Sequence, residues 1–405
     1  MSYIPTLNSY DSFGRLRTGG TGQRLDVEFI YDKSPDFFDE ITSNGTVTHN
    51  SDSRDLTLSI SDSADGTHAT MRSHPVPHTP GNSQLIEATG TLDLAAIGGG
   101  TAEVFLRSNI TGVVTEETIE QSSWSNLSSG VDWSKSHIFK MDFQSLKVGT
   151  IRYSLVQGGQ EIIVAEIDND NEKSGGYWQL PSLGLYYRVY NDDKGTGVKT
   201  FLEIGYGDEE NAIGFRYALS SANASATLRA ICCTVKSEAG LDLNDIPGLP
   251  RSADRGASAK TVSTTLIPLI SIKPAATFNS ITNLGIAIPR GFTFQTTEAI
   301  RLAVVYGGTL TGDSFGAVDA KSMMEYDTAA TAISGGVEID HDYAYAVGTG
   351  PQSGRTTATD KGLLGKTVLW DRNDAVETGI LSLCAIRTGS TDASVLAGLK
   401  WDEIR

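Results

Sequence analysis

The period of the apolar residues constrains this chain most. Short runs alternate apolar with polar side chains, and no segment holds an amphipathic period of 3.6 residues over three turns. Leu56-Thr-Leu-Ser-Ile60 and Ile151-Arg-Tyr-Ser-Leu155 alternate cleanly, which turns one set of side chains toward a core and the other toward water. Further runs rich in β-branched and aromatic residues lie at 103–107, 138–143, 161–167, 183–190, 198–204 and 227–235, with Gly, Asn, Asp and Ser between them. Gln157-Gly-Gly-Gln160 joins two such runs and can supply the positive φ angles of a tight hairpin. Asn191-Asp-Asp-Lys-Gly195 can do the same with a longer loop. Turn signals recurring about every dozen residues favour antiparallel sandwiches, of which the jelly roll is one arrangement.

A chain of 405 residues is too long for one ordinary core, so two domains are expected. From Gly240 to Lys260 the alternation breaks into small polar residues with Pro247 and Pro250 among them, which reads as a connection. A second β region follows, with strands expected at 266–272, 300–306, 336–339, 366–370, 380–387 and 395–401. In the last of these Val395, Ala397, Leu399 and Trp401 share a face. The reading is all-β: two antiparallel β-sandwich, jelly-roll-like domains at 25–240 and 258–405, a linker at 241–257 and an extended N-terminal arm at 1–24. The first forty residues scatter aromatics among turn formers. A segment of that kind cannot bury its rings alone, so Phe13, Arg15, Arg17, Tyr31, Phe37 and Phe38 are the candidate assembly contacts; packing on their own domain is the alternative.

Charge narrows the function. Lys and Arg total 32 against 49 Asp and Glu, a formal net charge of −17, and a surface of that sign repels phosphate, so no nucleic-acid partner is expected. The N-terminus lacks the cationic start and apolar stretch of a signal peptide, and no run approaches the roughly 18 consecutive apolar residues of a membrane helix. Assembly in a cytosol, away from membranes, is the expectation. Three cysteines do not make a disulfide framework; Cys232 and Cys384 lie in apolar alternating runs and read as buried, inert thiols.

Motifs that could carry chemistry are weak. Gly312-Asp-Ser-Phe-Gly316 matches a nucleophile elbow in letters, but that motif needs a strand before the serine and a helix after it, and neither is legible around Ser314. His68, His74 and His78 fall within eleven residues, yet Pro75, Pro77 and Pro80 impose an extended path that spreads them along an exposed loop. Asp168-Asn-Asp-Asn-Glu172 offers oxygen ligands but lacks the Gly and the terminal Glu of a calcium loop. No catalytic residue, metal or cofactor is expected. Trp124, Trp133, Tyr177 and Trp178, if exposed, could stack on sugar rings.

Several short segments look familiar in their order. Asp11-Ser-Phe-Gly-Arg-Leu-Arg17 followed by Tyr31-Asp-Lys-Ser-Pro-Asp-Phe-Phe38 resembles the opening of a family of structural proteins of tailed bacteriophages. Pro80-Gly-Asn-Ser-Gln84, Gln121-Ser-Ser-Trp124 and Met141-Asp-Phe-Gln-Ser-Leu-Lys-Val-Gly149 continue the resemblance, with Gln144, Ser145 and Lys147 departing from the family's pattern. In the second domain Pro268-Leu-Ile-Ser-Ile-Lys-Pro274, Leu310-Thr-Gly-Asp-Ser-Phe315 and Thr331-Ala-Ile-Ser-Gly-Gly336 resemble recurrent phage sequences. The resemblance spans nearly the whole chain and implies a non-enzymatic virion component. Its expected form is an exterior appendage or capsid decoration, its expected partners other capsid or tail proteins, and its expected oligomer a homotrimer. A receptor- or carbohydrate-binding module that meets a host-surface glycan is the alternative, and a polysaccharide-degrading enzyme the third reading.

Overall fold

The computed structural model describes residues 22–404 except 36, 79–81, 94–98, 111, 145–147, 171, 173, 174, 179–181, 194–196, 224, 238–248, 284, 345–351 and 355–378. The chain is all-β. Among the described residues its sheets are antiparallel, and the only helical turn is the 3-10 turn Gln121–Ser123. It divides into two compact units, Met1–Asp242 and Leu243–Arg405.

The first unit is a sandwich of two large sheets. One has eight strands in the spatial order Gln160–Ile167, Ile151–Gln157, Ser136–Gln144, Ser83–Asp93, Thr227–Ser237, Asp55–Ile60, Gly45–Asn50, with Gly22–Glu28 also paired to Thr227–Ser237. The other has seven, in the order Phe38–Ser43, His68–Ser73, Gly184–Asp193, Val198–Gly207, Ala212–Leu219, Gly100–Asn109, Val114–Glu120. Alternation decides what lies between them. Leu56, Leu58, Ile86, Phe139, Met141 and Phe143 from the first sheet meet Leu106, Tyr187, Leu202, Ile204, Ile213 and Phe215 from the second in one buried cluster. At roughly 25 cal/mol per Å² of apolar surface, this layer is the main stabilising term of the unit. The Gly158-Gly159 hairpin takes φ angles of +60° and +77° and pairs Gln157 with Gln160, a two-residue loop whose twist matches that of its strands.

The second unit repeats the plan at smaller size. Its five-stranded sheet runs Leu249–Asp254, Ala393–Ile404, Ile286–Thr296, Gln352–Gly354, with Lys260–Val262 also on Ala393–Ile404. Its six-stranded sheet runs Gly316–Ala317, Met324–Asp327, Ile267–Pro274, Leu381–Arg387, Ile300–Tyr306, Val337–Ala344. Val395, Ala397, Leu399 and Trp401 are all buried on one face of the long terminal strand, as their spacing requires. They pack with Leu269, Leu302, Val304 and Leu383 in one cluster.

Two sequence expectations need correction here. The stretch 241–257 is not simply a linker, because Leu249–Asp254 is a strand in register with Ala393–Ile404 from Leu249↔Glu403 to Asp254↔Gly398. Pro250 is tolerated there because the strand lies at the sheet edge, where a missing N–H costs no ladder bond. Cys233, not Cys232, points into the core: a register shift between Ala230 and Cys232 reverses the inside–outside phase of that strand, leaving Cys232 half-buried. Cys384 is buried as expected, and burial pushes its thiol up to about 12. The strand expected at 366–370 lies outside the described residues.

Candidate functional site

The residues singled out from sequence do not converge. Phe13, Arg15 and Arg17 lie outside the described residues. Tyr31 is 86% exposed and Phe37 is 50% exposed, so both are free for contact. Phe38 is not: it is buried against Phe29 with ring centroids 5.3 Å apart and belongs to the core of its own unit. The four aromatics expected to stack on sugars are also core residues. Trp124 and Trp133 pack edge to face at 6.0 Å, and Tyr177 and Trp178 are both about 1% exposed. Their polar atoms are turned inward as well: Trp124 Nε1 donates to the Ile119 carbonyl and Trp133 Nε1 to Gln121 Oε1.

The histidines go separate ways. His68 Nδ1 lies 3.0 Å from the Gly66 carbonyl, and His74 Nε2 is 3.8 Å from Asp39. His78, expected in an exposed loop, is buried and stacked against Phe143. Burial holds its pKa down to about 4, although the hydrogen bond to the Asn82 carbonyl pulls the other way. Among the described residues no group of three or more His, Cys, Asp or Glu is placed to hold a metal ion. Ser314 sits in a loop between the three-residue strand Thr309–Thr311 and the two-residue strand Gly316–Ala317, and its backbone N–H donates to Asp327 Oδ1. No elbow forms there, because no helix follows.

Register, not sequence proximity, builds a concentrated polar site on the first unit. On the seven-stranded sheet, the face turned away from the sandwich core carries a row of directly opposed residues: Arg188↔Glu203, Glu203↔Arg216, Arg216↔Glu103. Arg107 and Glu116 oppose each other beside it. Opposite charges placed directly across strands attract, and here they interlock. Arg107 Nη2 donates to Glu203 Oε1 at 2.8 Å and its Nε to Glu116 at 3.0 Å; Arg216 Nε donates to Glu103 at 2.6 Å and its Nη2 to Glu116 at 2.8 Å. Tyr190 and Tyr186 donate their hydroxyls to the two oxygens of Glu203 at 2.7 and 3.1 Å. The Arg216 guanidinium lies over the Phe105 and Phe201 rings at 5.1 and 5.0 Å, so the charges are framed by aromatic faces.

Two glycines make room for those rings. Gly205 and Gly214 are opposed in register. A Cβ on Gly205 would come within 2.8 Å of the Tyr186 ring, and one on Gly214 within 2.9 Å of the Phe105 ring.

Electrostatics separates the carboxylates. Burial alone would raise the Glu203 pKa, but Arg107 and Arg216 overcome it and hold the group at about 2. At Glu103 burial wins over the pull of Arg216 and the pKa is raised. A low and a raised carboxyl side by side is a pattern that enzymes use for acid–base work. Here, however, Glu203 is fully buried with both oxygens engaged by guanidinium and phenol donors, and Glu103 is 8% exposed and accepts from Arg216 through one oxygen. The arrangement cross-braces five strands. Sequence reading found the strand at 103–107 but not this site, since its members come from five strands. The available signal was Glu103-x-Phe105-x-Arg107, charges on one face of a strand whose other face is Val104-x-Leu106.

No family model matches the chain, and no curated protein matches it. Among solved structures it is similar in part to an endo-1,3-beta-glucanase from Streptomyces sioyaensis, at 10% identity over 54% of this chain and 96% of that one, TM-score 0.32. It is similar to a legume lectin-like domain from Entamoeba histolytica at 13% identity over 52% and 95%, TM-score 0.19. A tandem pair of CBM22 domains from Paenibacillus barcinonensis aligns at 9% identity over 96% and 99%, TM-score 0.25. Likenesses at this level bear on neither activity nor ligand.

Proposed function

We propose that the chain is a non-catalytic structural component of a tailed-phage virion, displayed on the outside of the particle and acting by assembly rather than turnover. The observation that carries the non-catalytic half is the braced sheet face. Its carboxylates are paired with arginines, Glu203 and Glu103 are buried, and the network ties five strands of the sheet together, which is the work of a brace rather than of a reacting group. The virion half rests on the ordered resemblance from Asp11 to Gly336. Of the expected assembly contacts, Tyr31 and Phe37 are exposed and open to a neighbour, and a homotrimer is the proposed assembly.

The proposal is tested by quantitative mass spectrometry of particles purified through a density gradient. The chain should be present at a fixed ratio to the major capsid or tail protein. Its confinement to the soluble fraction of the lysate would end the virion reading.

A carbohydrate-binding module is the second reading. Burial of Trp124, Trp133, Tyr177 and Trp178 removes its original support. What favours it is a polar pocket in the second unit.

A further inference from the structure

That pocket lies in the second unit, on the five-stranded sheet. Lys400 stands on the terminal strand opposite Ser252 on one side and Gly291 on the other. Arg290 occupies the extra position of a β-bulge, where the register passes from Pro289 to Gly291. A bulge re-aims the side chain it inserts, and here it brings Arg290 onto Asp402, with which it forms an ion pair. Together with Arg251 and Asp319 these residues line an open cavity of about 460 Å³.

The charges in the cavity are unequally committed. Asp402 is engaged by Arg290, and Asp319 accepts the backbone N–H of Lys321 at 2.6 Å and stands 3.8 Å from Arg251. Arg251 is held in turn by the Lys321 carbonyl at 2.8 Å and lies 3.9 Å from Glu403. Lys400 is different: among the described residues no carboxylate lies within ion-pair distance of its ammonium. In a chain whose net charge is −17, an uncompensated cation beside two paired arginines and the exposed Ser252 hydroxyl marks a place for an anion.

Size says what kind. The cavity falls in the range of about 300–1,000 Å³ usual for small-ligand sites and has room for an anionic group carried on a larger body. Asp319 and Asp402 still offer acceptor lone pairs for hydroxyl protons. We propose that this pocket binds a saccharide bearing a negative charge, a uronic acid or a sugar phosphate, with Lys400 on the charge, Ser252 beside it and the aspartates on hydroxyls. The inference stands apart from the virion reading and could hold if that reading failed.

Titration calorimetry of the full chain with glucuronate, glucose 6-phosphate, glucose and inorganic phosphate tests it. Glucuronate or glucose 6-phosphate should bind, whichever source of charge the site accepts. Glucose and inorganic phosphate should each bind at least about tenfold more weakly, the size expected for losing one charge-assisted hydrogen bond. Lys400→Met should weaken the charged sugar by at least about the same factor, while Lys400→Arg, with unchanged thermal stability, should retain it. Failure of both charged sugars to bind, equal binding of glucose or phosphate, or indifference to Lys400→Met would each overturn the assignment.

Discussion

Glu203 is the residue on which the braced sheet depends. Two arginines and two tyrosines point at its carboxylate, so Glu203→Gln would leave Arg107 and Arg216 as buried, undercompensated charges. Breaking one partner of a buried pair costs about 3–5 kcal/mol, and urea denaturation of the variant should show a loss in that range; a loss below about 1 kcal/mol would mean that the network is decorative. His78 supplies a second residue-scale test. Its pKa is lowered from 6.5 to about 4 in the folded chain, so the neutral form is favoured by folding. That contribution is fully present above 6.5 and is lost as pH falls toward 4. The full difference corresponds to about 3 kcal/mol. Unfolding free energies measured from pH 7.5 to pH 4 should therefore fall more steeply for the natural chain than for His78→Phe, and parallel curves would contradict the assignment. Glu203 does not confound this window, because its depressed pKa places its own loss lower, between 4.5 and about 2. Glu103 has the opposite sign, its raised pKa favouring folding as pH falls.

At the scale of elements, the seven-stranded sheet shows how far alternation can be read and where it stops. The runs at 183–190, 198–204 and 103–107 are strands, because period-two patterning with one apolar face leaves little else to form. Which charges meet was hidden, since Glu103, Glu203 and Arg216 become neighbours only through strand order and register. A bulge has the same effect at smaller range: the shift after Ala230 exchanged the roles of Cys232 and Cys233. Large aromatics misled for a related reason. Trp124 and Trp133 follow turn-rich sequence and look exposed, yet each finds an inward acceptor for its indole N–H and can be buried whole. The glycine pair is also an element-scale device. Gly214→Ala should push the Phe105 ring off the sheet and destabilise the first unit by about 1–3 kcal/mol, read from the midpoint of urea unfolding; an unchanged midpoint would show that the rings do not need the space.

For the whole molecule, the two-unit plan and the all-β class were legible because each sandwich carries its own alternating runs, while the boundary was blurred by an edge strand that contains a proline. The two compact units imply that the fragments 1–242 and 243–405, expressed apart, each unfold cooperatively by circular dichroism and near-ultraviolet melting; a fragment without a cooperative transition would argue for one interdependent body. Assembly belongs to this scale too. Removing residues 1–21 stops short of the first strand, Gly22–Glu28, so secondary structure should persist while light scattering reports loss of the proposed trimer; a folded deletion variant that still forms trimers would end the arm's role.

The proposed function places this chain on the outside of a virus particle. Electron microscopy of intact particles labelled with gold-conjugated antibody against residues 243–405 measures that directly. Gold is expected on the outer surface of undamaged particles at a regular position on head or tail. Particles that bind antibody only after disruption, or not at all, would contradict it.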